Sequence, residues 1–219
     1  MRENENVRES ERMRMWEITI FARLPKISHF LTSHSLTMFS YLSRLILKLW
    51  GWKLTGSYPY HLPKVIIAVG PHTSNWDFPI GVLVNSAMKI HANYVGKSTL
   101  FRPPFGFIFR YWGGIPVDKT KRSHFVDNTI KAINQRERVH LAISPEGTRK
   151  KVDKLRTGFY HIAKGTNSAI CLCKFDWGKM EVFFDPQLFY PTDNEAADLD
   201  FIWNYFKNVQ GRNPELGIS

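Results

Sequence analysis

The stretch Val65-Ile66-Ile67-Ala68-Val69-Gly70-Pro71-His72-Thr73-Ser74-Asn75-Trp76-Asp77 decides the fold class. Its opening run is short, β-branched and bounded by breakers, which predicts a buried strand over Val65 to Val69. Phe78 to Met88 then reads as a helix, with Pro79 tolerated near its start. A strand handing directly to a helix is the repeating unit of an α/β sheet, and ligands of such sheets gather at the carboxyl ends of the strands. His72 and Asp77 fall at that hand-over. A histidine there can exchange protons near neutral pH, and a carboxylate can fix its tautomer and raise its basicity. The plainer alternative is a histidine at a helix end beside an unrelated aspartate.

The alternation continues downstream. Strands are expected at Ala92 to Val95, Ile115 to Val117, Val139 to Ile143, Ala169 to Phe175 and Met180 to Phe184. Helical segments are expected at Phe101 to Trp112, Ser123 to Arg136, Gly158 to Lys164 and Leu199 to Val209. The fold class is therefore α/β, a mixed, largely parallel sheet flanked by helices, in one domain over residues 51–219.

Residues 1–50 read differently. The first 14 or so are charged and nearly free of apolar side chains, as in a disordered start, and no secretory apolar region follows. Thr37 to Trp50 carries Met38, Phe39, Leu42, Leu45, Ile46 and Leu49 at helical spacing, with Ser40, Arg44 and Lys48 opposite. It is too short and too interrupted by cations to span a bilayer. A basic polar face with Trp50 near its end suits a membrane interface, so it reads as an amphipathic membrane-associating segment. Packing on the domain core is the competing expectation.

The 219 residues are 43% hydrophobic, enough for a packed core, and carry a net charge of +11. Anionic partners follow: nucleic acid, an anionic membrane surface or phosphorylated small molecules. A nucleic-acid module would show zinc spacing, a helix-turn-helix or an RNP-like aromatic strand, and none is present. Cys171 and Cys173, the two cysteines, face one side of an expected strand and are poorly placed for a mutual disulfide. They supply too few ligands for zinc. A reduced, cytosol-facing compartment fits best.

Two further stretches read as site. Lys97-Ser98-Thr99-Leu100-Phe101-Arg102-Pro103-Pro104-Phe105-Gly106, with Gly113-Gly114-Ile115-Pro116-Val117-Asp118-Lys119 beyond it, alternates cations, breakers and aromatics. Ser144-Pro145-Glu146-Gly147-Thr148-Arg149 follows a strand directly. There Arg149 offers a planar fork for a phosphate and Gly147 allows close backbone approach. The plain alternative is an internal Glu146–Arg149 ion pair. A hydrolase built on Ser74 beside His72 would want a Gly-x-Ser-x-Gly elbow, which is lacking.

Taken in order, these stretches resemble the PlsC-like glycerophosphate and lysophosphatidate acyltransferases over residues 50 to 190. His72 to Asp77 matches that family's H-x(4)-D motif, and Pro145-Glu146-Gly147-Thr148-Arg149 its P-E-G-T-R motif. Lys97 to Lys119 is similar to its second motif, though Lys119 replaces an arginine and Ser98 and Thr99 stand where glutamate is common. Ala169 to Cys173 occupies the place of the fourth motif without its prolines. The resemblance implies an O-acyltransferase moving a fatty acyl group from acyl-CoA or acyl-carrier protein to lysophosphatidate, or to another, amino-acid-based lysolipid. It implies His72 as base and Asp77 as orienter. Lys97, Lys119 and Arg149 would hold an acceptor anion, with Glu146, Gly147 and Thr148 shaping the pocket. Apolar residues around Phe101 to Phe109 would line an acyl groove or the core. No metal or redox cofactor is implied, and the expected location is peripheral, on the cytoplasmic face of a membrane.

Overall fold

The computed structural model describes residues 32–117 and 125–218, and those from Thr37 onward belong to one compact unit. The decisive strand is β2 (Lys64–Gly70), at the centre of a seven-stranded sheet. The others are β1 (Lys53–Gly56), β3 (Asn93–Lys97), β4 (Gly114–Val117), β5 (Val139–Ile143), β6 (Ala169–Asp176) and β7 (Glu181–Phe184). Their spatial order is β1-β7-β6-β2-β5-β3-β4. The β6–β7 pair is antiparallel and the remaining pairs are parallel. The sheet is thus mixed and largely parallel. Helices are α1 (Thr32–Leu49), α2 (Asp77–Ala87), α3 (Gly106–Tyr111), α4 (Phe125–Asn134), α5 (Gly158–Gly165) and α6 (Glu195–Phe206).

A strand covered on both faces needs apolar side chains at every position, because successive residues point to opposite sides. In β2, Val65 and Ile67 enter a core shared with α1, α2 and β7, while Ile66 and Ala68 enter a second core beneath α4, α5 and α6. β6 repeats the division, with Ile170 and Leu172 on the second side and Cys171 and Cys173 on the first. Both thiols are free and buried. Burial pushes the Cys171 thiol up to about 12 and that of Cys173 well above its usual value, so both act as small core side chains.

Three local outcomes go beyond the periodicity. Phe101 to Trp112 is divided into a 3₁₀ turn (Ser98–Phe101) and α3, because Pro103 and Pro104 donate no backbone hydrogen bond and cannot continue a helix. The apolar period of α6 begins at Leu199, yet the helix starts at Glu195, where Asn194 Oδ1 accepts from Ala197 N–H at 3.1 Å. β1 is too short and polar to declare itself; it forms through parallel pairing with β7.

α1 has the periodicity expected, but it packs on the domain through its small polar face rather than through its apolar stripe. Ser40, Ser43 and Leu47 turn inward, Ser43 fully buried at 0% exposure. Ser40 Oγ and Arg44 Nε donate to the Ala87 carbonyl at the end of α2, at 3.3 and 2.8 Å. Met38, Tyr41, Leu42, Leu45 and Leu49 face outward, with Met38 72% and Leu49 79% exposed. No helix among the described residues is long and apolar enough to cross a membrane.

Candidate active site

β2 and β5 lie side by side, Ala68 opposite Ile143, so the loops leaving their carboxyl ends are neighbours. The first carries His72 and the second Glu146 and Arg149. α2 begins at Asp77, which puts the carboxylate at the helix end where the macrodipole favours negative charge. Asp77 Oδ2 accepts from His72 Nδ1–H at 2.9 Å and from Ser74 N–H at 3.0 Å. Oδ1 accepts from the Trp177 indole N–H at 2.8 Å. A buried carboxylate held by three donors cannot rotate without losing one.

His72 is gripped on three sides. Besides Asp77, its backbone N–H donates to Glu146 Oε2 at 2.6 Å, and its Nε2 accepts from Arg149 Nε–H at 3.2 Å. A guanidinium only donates, so Nε2 presents its lone pair and Nδ1 carries the proton. The network therefore sets one tautomer from both ends of the ring. Glu146 is 1% exposed and also accepts from Ser144 Oγ–H at 3.3 Å. Burial raises its carboxyl above the usual value, opposed by the His72 N–H.

Among the described residues Glu146 and Arg149 form no ion pair with each other. Each takes a different atom of His72 from the two sides of one turn. Gly147 allows that turn: its φ is +64°, and an added Cβ would stand 3.0 Å from Arg156 Cγ. Thr148 Oγ1 accepts from Lys150 N–H at 3.3 Å and holds the turn's far side. Ser74 Oγ accepts from Trp76 N–H at 3.2 Å, so this hydroxyl serves the start of α2. Lys97 ends β3 at the same sheet edge, its side chain lying outside what the structure describes. Lys119 lies outside the described residues.

Apolar surface adjoins this cluster. Phe78, next to Asp77, packs on Tyr94 and Phe109 with centroids 5.0 and 5.7 Å apart. Beyond them Phe101 is buried while Phe105 and Phe107 are exposed. A cavity of about 200 Å³ there is lined by Phe101, Pro103, Pro104, Gly106, Phe107 and Arg110. The expected aromatic segment thus supplies both core and open apolar surface. Among the described residues no three His, Cys, Asp or Glu side chains gather as a metal site.

Sequence reading missed Trp177 and Asn213. Trp177 directly follows β6, and the rule that site residues follow strands could have found it. Asn213 donates twice to Thr73 from the far end of the chain, and no local signal marks it.

A family model for the acyltransferases, described simply as Acyltransferase, matches residues 56–177, more than half of the chain. The chain belongs to the acyltransferase family. Comparison with curated proteins found no match. Among solved structures, this acyltransferase is similar to the crystal structure of the 1-acyl-sn-glycerophosphate (LPA) acyltransferase PlsC from Thermotoga maritima. The TM-score is 0.54 over 87% of this chain and 86% of that one, at 14% sequence identity. At that identity the two acyltransferases are shown to share a fold.

Proposed function

We propose that this acyltransferase moves a fatty acyl group from acyl-CoA or acyl-carrier protein to the hydroxyl of lysophosphatidate, with His72 as general base. The observation that carries the reading is the imidazole itself. Asp77 holds Nδ1–H, and Arg149 sits on the Nε2 lone pair that must receive a proton. The acceptor oxygen attacks the thioester carbonyl as its proton passes to Nε2, and the tetrahedral intermediate collapses with loss of thiolate. The imidazolium then returns the proton to the thiolate, so no acyl-enzyme forms and the base is restored.

For the hydroxyl to reach Nε2, Arg149 must give way. An acceptor carrying a phosphate offers the guanidinium a better partner than an imidazole nitrogen, since a fork-to-phosphate contact is charge-assisted and strengthens as lipid excludes water. Lys97 and Lys119 add charge to the same anion, as the second-motif resemblance implies, while Glu146, Gly147 and Thr148 keep the turn in shape. The acyl chain lies along the aromatic surface from Phe78 to Phe107.

The enzyme works peripherally on an anionic membrane surface. The outward apolar face of α1 and the net charge of +11 support this, and they favour residues 1–50 as the membrane-associating part ahead of a catalytic domain over 51–219.

The test is thiol release from palmitoyl-CoA by purified enzyme with lysophosphatidate, lysophosphatidylcholine or a lyso-ornithine lipid as acceptor. Lysophosphatidate should support turnover, and Arg149→Lys should raise its KM more than that of the donor. Acylation of only the amino-acid lipid would keep acyl transfer and remove the acceptor assignment. Equal effects on both KM values would reduce Arg149 to a residue that holds the turn.

A further inference from the structure

The family model ends at residue 177, yet the H-x(4)-D loop is fastened by residues more than 30 positions beyond it. From the end of α6 the chain passes the buried core residue Val209 and runs between β6 and the loop. Gln210 O accepts from Trp177 N–H at 2.8 Å. Gly211 lies so close to Thr73 that an added Cβ would stand 2.5 Å from its Oγ1. The Arg212 guanidinium lies over the Trp76 and Trp177 rings, 5.0 and 4.7 Å from their centroids. Asn213 closes the strap: its backbone N–H donates to Thr73 Oγ1 at 3.2 Å and its Nδ2 to Thr73 O at 3.0 Å.

Each contact has one end on the loop between His72 and Asp77 or on Trp177, whose indole N–H holds Asp77 Oδ1. We propose that Trp177 and the strap Gln210–Asn213 are positioning elements for the His72–Asp77 dyad, fixing the carboxylate from behind and the loop from outside. The inference rests on the reading of His72 as base. Without the indole donor, Asp77 is held through Oδ2 alone, by His72 and Ser74, and its carboxylate turns more readily. The imidazole then loses the orientation that aims Nε2 at the incoming hydroxyl. Residues that fix a reacting group's orientation act on kcat rather than on substrate affinity. The charged groups around the dyad are Glu146 and Arg149 on the β5 loop and Arg212 on the strap, and no variant below removes any of them.

The decisive experiment measures palmitoyl-CoA consumption with lysophosphatidate, alongside NMR of protein carrying ¹⁵N-labelled histidine. Trp177→Phe keeps the ring and removes the donor. It should lower kcat about ten- to a hundred-fold, as expected for losing a hydrogen bond to a charged group, with both KM values within about two-fold. In an Asp77→Asn background the same change should cost less than about two-fold, since its route through the carboxylate is already broken. Exchange of the His72 Nδ1–H with water should accelerate in Trp177→Phe. Asn213→Ala should lower kcat several-fold at unchanged KM, and it decides the matter if Trp177→Phe does not fold. An unchanged kcat in both variants, or a Trp177 effect of full size in the Asp77→Asn background, would overturn the proposal. If wild-type protein transfers nothing to lysophosphatidate, the exchange rate alone decides: unchanged exchange overturns it. Full activity in a parallel His72→Ala control would defeat the base assignment itself, a result distinguishable from a null effect at Trp177.

Discussion

α1 and α6 carry apolar residues at the same helical spacing, and they bury opposite faces. In α6, Ile202 and Phe206 are fully buried beneath the sheet, while Asp200 and Asn204 are exposed. In α1 two serines, Leu47 and the Arg44 guanidinium make the contact with the domain, and the apolar stripe is turned outward. Periodicity tells where a stripe lies on a helix but not what covers it. The difference lies in the partners. α6 meets apolar side chains of β2 and β6, whereas α1 meets the carbonyl-bearing end of α2, where Ala87 O takes two side-chain donors. A small polar face suits that site, and the large apolar side chains are left for another surface.

Stability measurements can break this comparison, beginning with the largest effect. Phe206→Ala should cost about 3–5 kcal/mol in denaturant unfolding, because a fully packed aromatic is emptied; a loss below 1 kcal/mol would make α6 as peripheral as α1. Ser43→Ala should raise stability by about 1 kcal/mol, since Ser43 Oγ is buried without a hydrogen-bond partner among the described residues. A loss there would show an inward face that needs its hydroxyl. Leu42→Glu and Leu45→Glu should each change stability by no more than about 0.5 kcal/mol, as exposed positions do. Together they should nonetheless reduce sedimentation with anionic vesicles sharply, and wild-type binding should weaken with added salt. Vesicle binding equal to wild type would remove the membrane from the account of α1.

The same contrast explains what was legible in the sequence. The interior strands β2, β5 and β6 are covered on both faces and read as apolar runs. The sheet's parallel core and the positions of His72 and of the Glu146 turn followed from them. β1 was invisible because an edge strand of Lys53-Leu54-Thr55-Gly56 owes its existence to β7. At the site, the His72–Asp77 pair was legible because both residues sit on one short loop. The grip of Glu146 and Arg149 on different atoms of His72 was not. An internal ion pair and two separate contacts demand the same residues, and only the turn at Gly147 separates them. Trp177 and Asn213 act across 100 and 140 positions, a distance at which no local pattern carries information.

If His72 Nε2 takes the acceptor proton, as proposed, His72→Ala removes the base itself. The measurement is kcat/KM for acceptor-dependent palmitoyl-CoA consumption by purified wild-type and variant enzyme, with thermal unfolding recorded on both. A fall of about two to four decades is expected, the usual worth of a general base, with the fold intact because the imidazole sits at a loop rather than in either core. Turnover within a few-fold of wild type in well-folded His72→Ala protein would contradict it.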